Sequence, residues 1–82
     1  MQRTVSVLTH LADRGESTGR DIANGSGGVL PFGQARDHLN RMEDDRLIES
    51  RMVDGARLYR LTEYGREALA DRAAAAGQGR LL

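Results

Sequence analysis

The sequence predicts a mainly α-helical domain with one small β-hairpin, and three features of its second half carry the prediction. A helix-periodic stretch runs to about Asp45, two short strand-like runs flank Asp54-Gly55, and a sharply capped helical segment begins at Thr62. Asp54-Gly55 suits a type I′ turn, whose two central residues take positive φ and so match the twist of paired strands. Helix, hairpin, helix is how a winged helix-turn-helix ends. The full expectation is three helices, a two-stranded wing and a C-terminal helix.

Counting outward from the turn sets Val53 against Ala56, Met52 against Arg57, Arg51 against Leu58, Ser50 against Tyr59, Glu49 against Arg60 and Ile48 against Leu61. Side chains alternate across a strand. Ile48, Met52, Tyr59 and Leu61 therefore share a face that can pack, and Glu49, Arg51 and Arg60 share one that meets water or a charged partner.

The earlier elements follow from periodicity and breakers. Arg3 to Arg14 place Val5, Leu8, Leu11 and Ala12 along one helical face, with Gly15 as the stop. Ser17 or Thr18 caps a short second helix reaching about Asn24, with Asp21 in its first turn and Ile22 and Ala23 inward. The Asn24-Gly-Ser-Gly-Gly28 cluster breaks that helix, and Val29-Leu30 anchors a connection longer and looser than a tight helix-turn-helix turn. From about Phe32 to Asp45 a third helix turns Ala35, Leu39, Met42 and Arg46 to the core, since they fall within about 40° of one another at ~100° per residue. Gly33, Asp37, Asn40 and Asp44 then lie opposite, with Gln34, Arg36 and Arg41 on the flanks. In the last helix Thr62 is the cap, Glu63 complements the dipole, and Tyr64, Ala68 and Leu69 point inward. It continues through Ala73 to Ala76 and stops at Gly77-Gln78-Gly79, giving a domain over 1–76 and a flexible tail over 77–82.

Composition narrows the function. An 82-residue chain supports one thin-cored domain. Without cysteine it has neither disulfides nor thiolate metal sites, which suits a reducing cytoplasm. The N-terminus lacks a signal peptide's basic start and apolar run, and nothing approaches the ~20 apolar residues of a membrane span, so a soluble cytoplasmic protein is expected. All twelve basic residues are Arg, balanced by twelve Asp and Glu. That neutrality counts against indiscriminate nucleic-acid binding, which depends on neutralised phosphates. A DNA role must rest on where the arginines point.

On the third helix Gln34, Arg36, Asp37, Asn40 and Arg41 are types that hydrogen-bond base edges or phosphates in a major groove. They also make an ordinary solvated face, on which Asp37 and Asp44 repel phosphate. Beside Gly55 at the wing tip, Arg51 and Arg57 can enter a minor groove or clamp phosphates, or can simply charge the sheet edge against aggregation. Arg60 pairs across the hairpin with Glu49. Arg20, in the first turn of the second helix, is a phosphate candidate near free amides. His10 and His38 flank apolar stripes as half-buried helix residues, and two distant histidines make no metal site. GSGG is not followed by the lysine of a phosphate-binding loop, so no cofactor is expected. The domain has no room for a substrate pocket, and an enzyme is not expected.

Gly19-Arg-Asp-Ile22, Leu39-Asn-Arg-Met-Glu43, Leu47-Ile48-Glu-Ser and the run RLYRLTEYGREAL from Arg57 to Leu69, in that order, resemble the winged-helix domain of PadR-like transcriptional regulators, with MarR-type winged-helix repressors as near relatives. The resemblance covers roughly Val5 to Leu69. It implies a homodimeric regulator, usually a repressor, that binds double-stranded DNA in a prokaryotic cytoplasm and is nucleoid-associated when bound, sometimes released by a small ligand. On this pattern Gly33 and Gln34 match the start of the recognition helix, Leu39 and Met42 its core positions, and Arg41 a basic position that commonly faces DNA. Arg36 stands where the family often has Tyr, and Asp37 where Pro or a basic residue is common, departures that bear on the target sequence. The short last helix implies a weak dimer built from the first helix and Ala70, Ala73 and Ala74, which bury little apolar area. It also leaves little room for an effector pocket. Two other readings stay open: a protein-interaction adaptor or anti-repressor, consistent with Asp37, Asp44 and Asp45 near the reading face, and an architectural DNA-binding factor of a phage or plasmid.

Overall fold

The computed structural model describes residues 2–81, with side chains through residue 72. Its elements are α1 (Gln2–Arg14), β1 (Ser17–Thr18), α2 (Gly19–Gly25), α3 (Phe32–Asp44), β2 (Ile48–Val53), β3 (Ala56–Leu61) and α4 (Glu63–Leu81). The hairpin carries the register counted from its turn, from Ile48 opposite Leu61 to Val53 opposite Ala56. Asp54 at φ 50° and Gly55 at φ 81° supply the two positive angles a type I′ turn needs.

A third strand joins this pair. β1 lies antiparallel to β3, Ser17 opposite Tyr59 and Thr18 opposite Leu58, so the sheet order is β1-β3-β2. Ser17 is therefore a buried strand residue and not a helix cap. Its hydroxyl donates to the Gly15 carbonyl at 2.9 Å and lies 3.2 Å from His10 Nε2. Thr18 caps α2, its Oγ1 accepting from the Asp21 amide at 3.2 Å.

The core gathers Val7, Leu8 and Leu11 from α1, Ile22 and Ala23 from α2, Leu30 from the connection that follows, Ala35, Leu39 and Met42 from α3, and Ile48, Tyr59 and Leu61 from the hairpin. Burying an aliphatic side chain of this size contributes about 1.5 to 3 kcal/mol. The buried arc of α1 is turned from the stripe read in sequence. Val7 is fully enclosed, Val5 only half-buried, and Ala12 exposed. Packed at once on α2, α3, α4 and β3, α1 buries the larger valine in place of the alanine.

Three corners also depart from the sequence reading. α3 ends in a Schellman motif: Leu47 N bonds Met42 O at 3.0 Å and Arg46 N bonds Glu43 O at 3.0 Å. Arg46 takes the left-handed position at φ 63°, so it is exposed and not part of the core stripe, and Leu47 turns back to the core. In α4 the predicted cap is present, Thr62 Oγ1 accepting from the Gly65 amide at 3.0 Å. Tyr64, however, is 59% exposed. Gly65 is the buried residue, so close to the Leu47 carbonyl that a Cβ would collide with it, and this contact rolls Tyr64 outward while Ala68 and Leu69 stay half-buried. The α4 backbone continues through Gly77 and Gly79 to Leu81, past the predicted stop. The side chains of Ala73 and Ala74 lie outside the described residues.

The connection between α2 and α3 is long but not loose. Ser26 Oγ donates to Ala23 O at 2.7 Å and accepts from the Leu30 amide at 3.0 Å. Gly27 and Gly28 turn at positive φ between these bonds, and Leu30 is fully buried.

Candidate nucleic-acid interface

A groove of about 840 Å³ runs between the start of α3 and the wing. Arg20, Arg36 and Arg57 approach it from α2, α3 and β3, with Phe32, Met52 and Tyr59 among them, and no acidic residue lines it. Three guanidiniums without a counter-charge make this a positive site on a neutral chain.

Local structure explains the arrangement. Phe32 lies seven residues before Leu39, nearly the same heading on a helix at ~100° per residue. The first turn of α3 overhangs the core, however, so Phe32 is 58% exposed. The Arg20 guanidinium sits 5.2 Å from the centre of its ring, a cation–π pair that holds the charge at the groove's rim. Tyr59 contributes from beneath, and burial holds its phenol above the ordinary pKa. Met52 shares the packing face of the hairpin but is 58% exposed, because the wing near its tip extends beyond the core. Arg57 Nη1 donates to Ser50 Oγ at 2.9 Å, and Ser50 Oγ donates to Glu43 Oε2 at 2.8 Å.

The opposite face of the sheet is different. Arg51 grips Glu16 with two bonds of 2.8 and 2.7 Å. The hydrogen bond from Arg51, assisted by its charge, lowers the Glu16 pKa below the ordinary carboxylate value. Arg60 meets Glu49 at 2.7 Å, the cross-strand pair read from the register.

Of the sequence candidates, Arg20, Gly33, Arg36, Gly55 and Arg57 come together at the groove. Gln34, Asp37, Asn40 and Arg41 are exposed on α3 outside it. Arg51 faces away, bound to Glu16. Sequence reading missed Phe32, whose place on the core stripe disguises its exposure, and the Glu43, Ser50 and Glu16 partners, for which nothing local signals a contact.

Both histidines are half-buried, as read. His38 Nε2 lies 3.2 Å from Thr4 Oγ1, and burial followed by the charge of Arg3 lowers its pKa. His10 borders a polar cleft of about 530 Å³ with Arg14, Glu16 and Asp21, and its pKa is lowered first by burial and then by Arg14. Among the described residues no three His, Cys, Asp or Glu side chains are grouped to hold a metal, and no helix is long and apolar enough to cross a membrane.

No family model and no curated protein matches the sequence. Solved structures do match the fold. BpsR of Bordetella bronchiseptica, whose DNA binding is regulated by 6-hydroxynicotinic acid, aligns with a TM-score of 0.81 at 21% identity over 93% of this chain and 55% of its own. The fold is a winged helix. ZitR of Lactococcus lactis aligns at 0.75 with 20% identity over 94% of this chain and 58% of its own. The MarR family regulator NMB1585 of Neisseria meningitidis aligns at 0.74 with 25% identity, over 93% and 54%. This winged helix thus spans little more than half the length of each of these three structures.

Proposed function

We propose that this winged helix, residues 1–76, is the DNA-binding domain of a sequence-specific transcription regulator, a PadR-like repressor that works as a homodimer in a prokaryotic cytoplasm. The observation that carries the reading is the acid-free groove where Arg20, Arg36 and Arg57 converge. In this reading α3 enters the major groove, and Arg36, Asn40 and Arg41 reach base edges with Gln34, while Asp37 accepts from a cytosine amine. Arg57 and Arg20 hold flanking phosphates, which position the protein without carrying sequence information. Arg51 serves the wing's structure through Glu16. The MarR-type neighbours support a regulator in place of an enzyme. A dimer would place two half-sites about one helical turn, ~34 Å, apart.

The test is to incubate the tagged protein with sheared genomic DNA of its host at ~150 mM salt and sequence what it retains. Enrichment of one or a few sites, especially inverted repeats, is the expected result. Uniform or absent recovery overturns the reading. The exposed Phe32 and Met52 in the groove favour a second reading, docking of a protein partner, and a DNA affinity that falls steeply with salt argues against it.

A further inference from the structure

Arg57 is the one groove arginine on the wing, and its guanidinium is held at second hand by α3. Ser50 Oγ has a single proton and gives it to Glu43 Oε2 at 2.8 Å, so a hydroxyl lone pair is left facing Arg57 Nη1 at 2.9 Å. The direction of the relay is forced, because a carboxylate only accepts and a guanidinium only donates. It joins three elements: Glu43 in the last turn of α3, Ser50 on β2 and Arg57 on β3. Glu43 and Ser50 are both half-buried, whereas Arg57 is exposed and keeps its other N–H groups for the groove.

We infer that Glu43 and Ser50 are positioning residues for DNA binding: they aim Arg57 into the groove and fix the wing's cation relative to the cations of the reading helix. Glu43 lies on α3 but does not line the groove, so it acts through the serine without presenting its own charge to phosphate. The inference rests on the proposed DNA-binding reading. It separates three residues of the same region by role, one that touches the duplex and two that never do.

The experiment is a double-mutant cycle on binding to a duplex selected as above, with Ser50→Ala, Ser50→Thr, Glu43→Ala and Arg57→Ala. Ser50→Ala and Glu43→Ala should each weaken binding roughly three- to tenfold in the wild type and by less than about twofold in the Arg57→Ala background. Ser50→Thr, which keeps the hydroxyl, should bind like the wild type. Equal losses in both backgrounds would overturn the inference, since the two residues would then act through the fold. So would full binding by Ser50→Ala where Arg57→Ala is impaired. If the wild type retains no DNA, the functional reading falls and this inference falls with it; if the wild type binds and Arg57→Ala binds equally well, this inference alone is overturned.

Discussion

The two faces of the wing place the same residue type in opposite surroundings. On the groove face Arg57 rests on a neutral hydroxyl and keeps its charge available. On the outer face Arg51 and Arg60 are each bound to a carboxylate, Glu16 and Glu49. Arg51 and Arg57 stand close to the same tip, yet one meets a carboxylate and the other a neutral hydroxyl. The lesson concerns charge counting: a chain with a formal balance of zero can still present a positive site if its acids are assigned to one face.

Mutations can break this contrast at several depths. The largest effect is expected at Tyr59, which is 5% exposed beneath the groove and opposite Ser17 of β1. Tyr59→Ala should cost about 3 to 5 kcal/mol of folding stability, and both faces should be lost together, as thermal unfolding followed by circular dichroism would reveal. Next come the arginines themselves. Arg36→Ala should weaken specific DNA binding by about 1 to 3 kcal/mol if it reads a base, while Arg57→Ala should lower affinity for all duplexes alike and reduce the salt slope by about 1. Arg51→Ala should leave DNA binding nearly unchanged and lower the melting temperature slightly. A comparable loss of DNA binding for Arg51→Ala would erase the distinction between the faces.

Smaller effects come from titration. Because Arg51 depresses the Glu16 pKa, the pair's contribution is fully present above the unfolded value of 4.5 and is lost as pH falls through the lower folded value. Wild type should therefore melt above Glu16→Gln at about pH 7, and the two should converge near pH 3. At the other edge of the sheet His10 bonds Ser17, with burial and then Arg14 lowering its pKa and Asp21 and Asp13 raising it, the net shift being downward. Folding then favours the neutral ring, and stability is lost as pH drops below 6.5 toward the folded value. His10→Asn should flatten the fall in melting temperature between about pH 7.5 and 5.5, although His38, shifted the same way, will retain part of it.

What the sequence disclosed was local. The whole hairpin register follows from Asp54-Gly55 and strict alternation, and the Thr62 cap and Arg60–Glu49 pair follow from spacing alone. β1 escaped because two residues make a strand only when Tyr59 and Leu58, some forty positions away, supply the partner amides. Arg51 and Glu16 are 35 residues apart, so nothing in either neighbourhood announces their bond. Arg46 misled because its helical heading is correct, but the left-handed corner that removes it is usually marked by glycine. Tyr64 misled because a backbone contact, Gly65 on Leu47, decides the roll of α4. At the candidate site the exposed face of α3 was legible from periodicity, while the orientation of each guanidinium depended on tertiary partners.

The Gly65 contact also governs how this sequence can drift. Even a methyl group is shut out by a carbonyl oxygen, so substitution there must displace α4 or the turn carrying Leu47. A Cβ added at Gly55, at the wing tip, would meet nothing within 4 Å, so that position is constrained only by its backbone angle of 81°. One glycine belongs to a corner with no spare room, the other to a tip whose contacts are still open. Lineages carrying this domain can thus diversify what the wing touches far more readily than how the wing is attached.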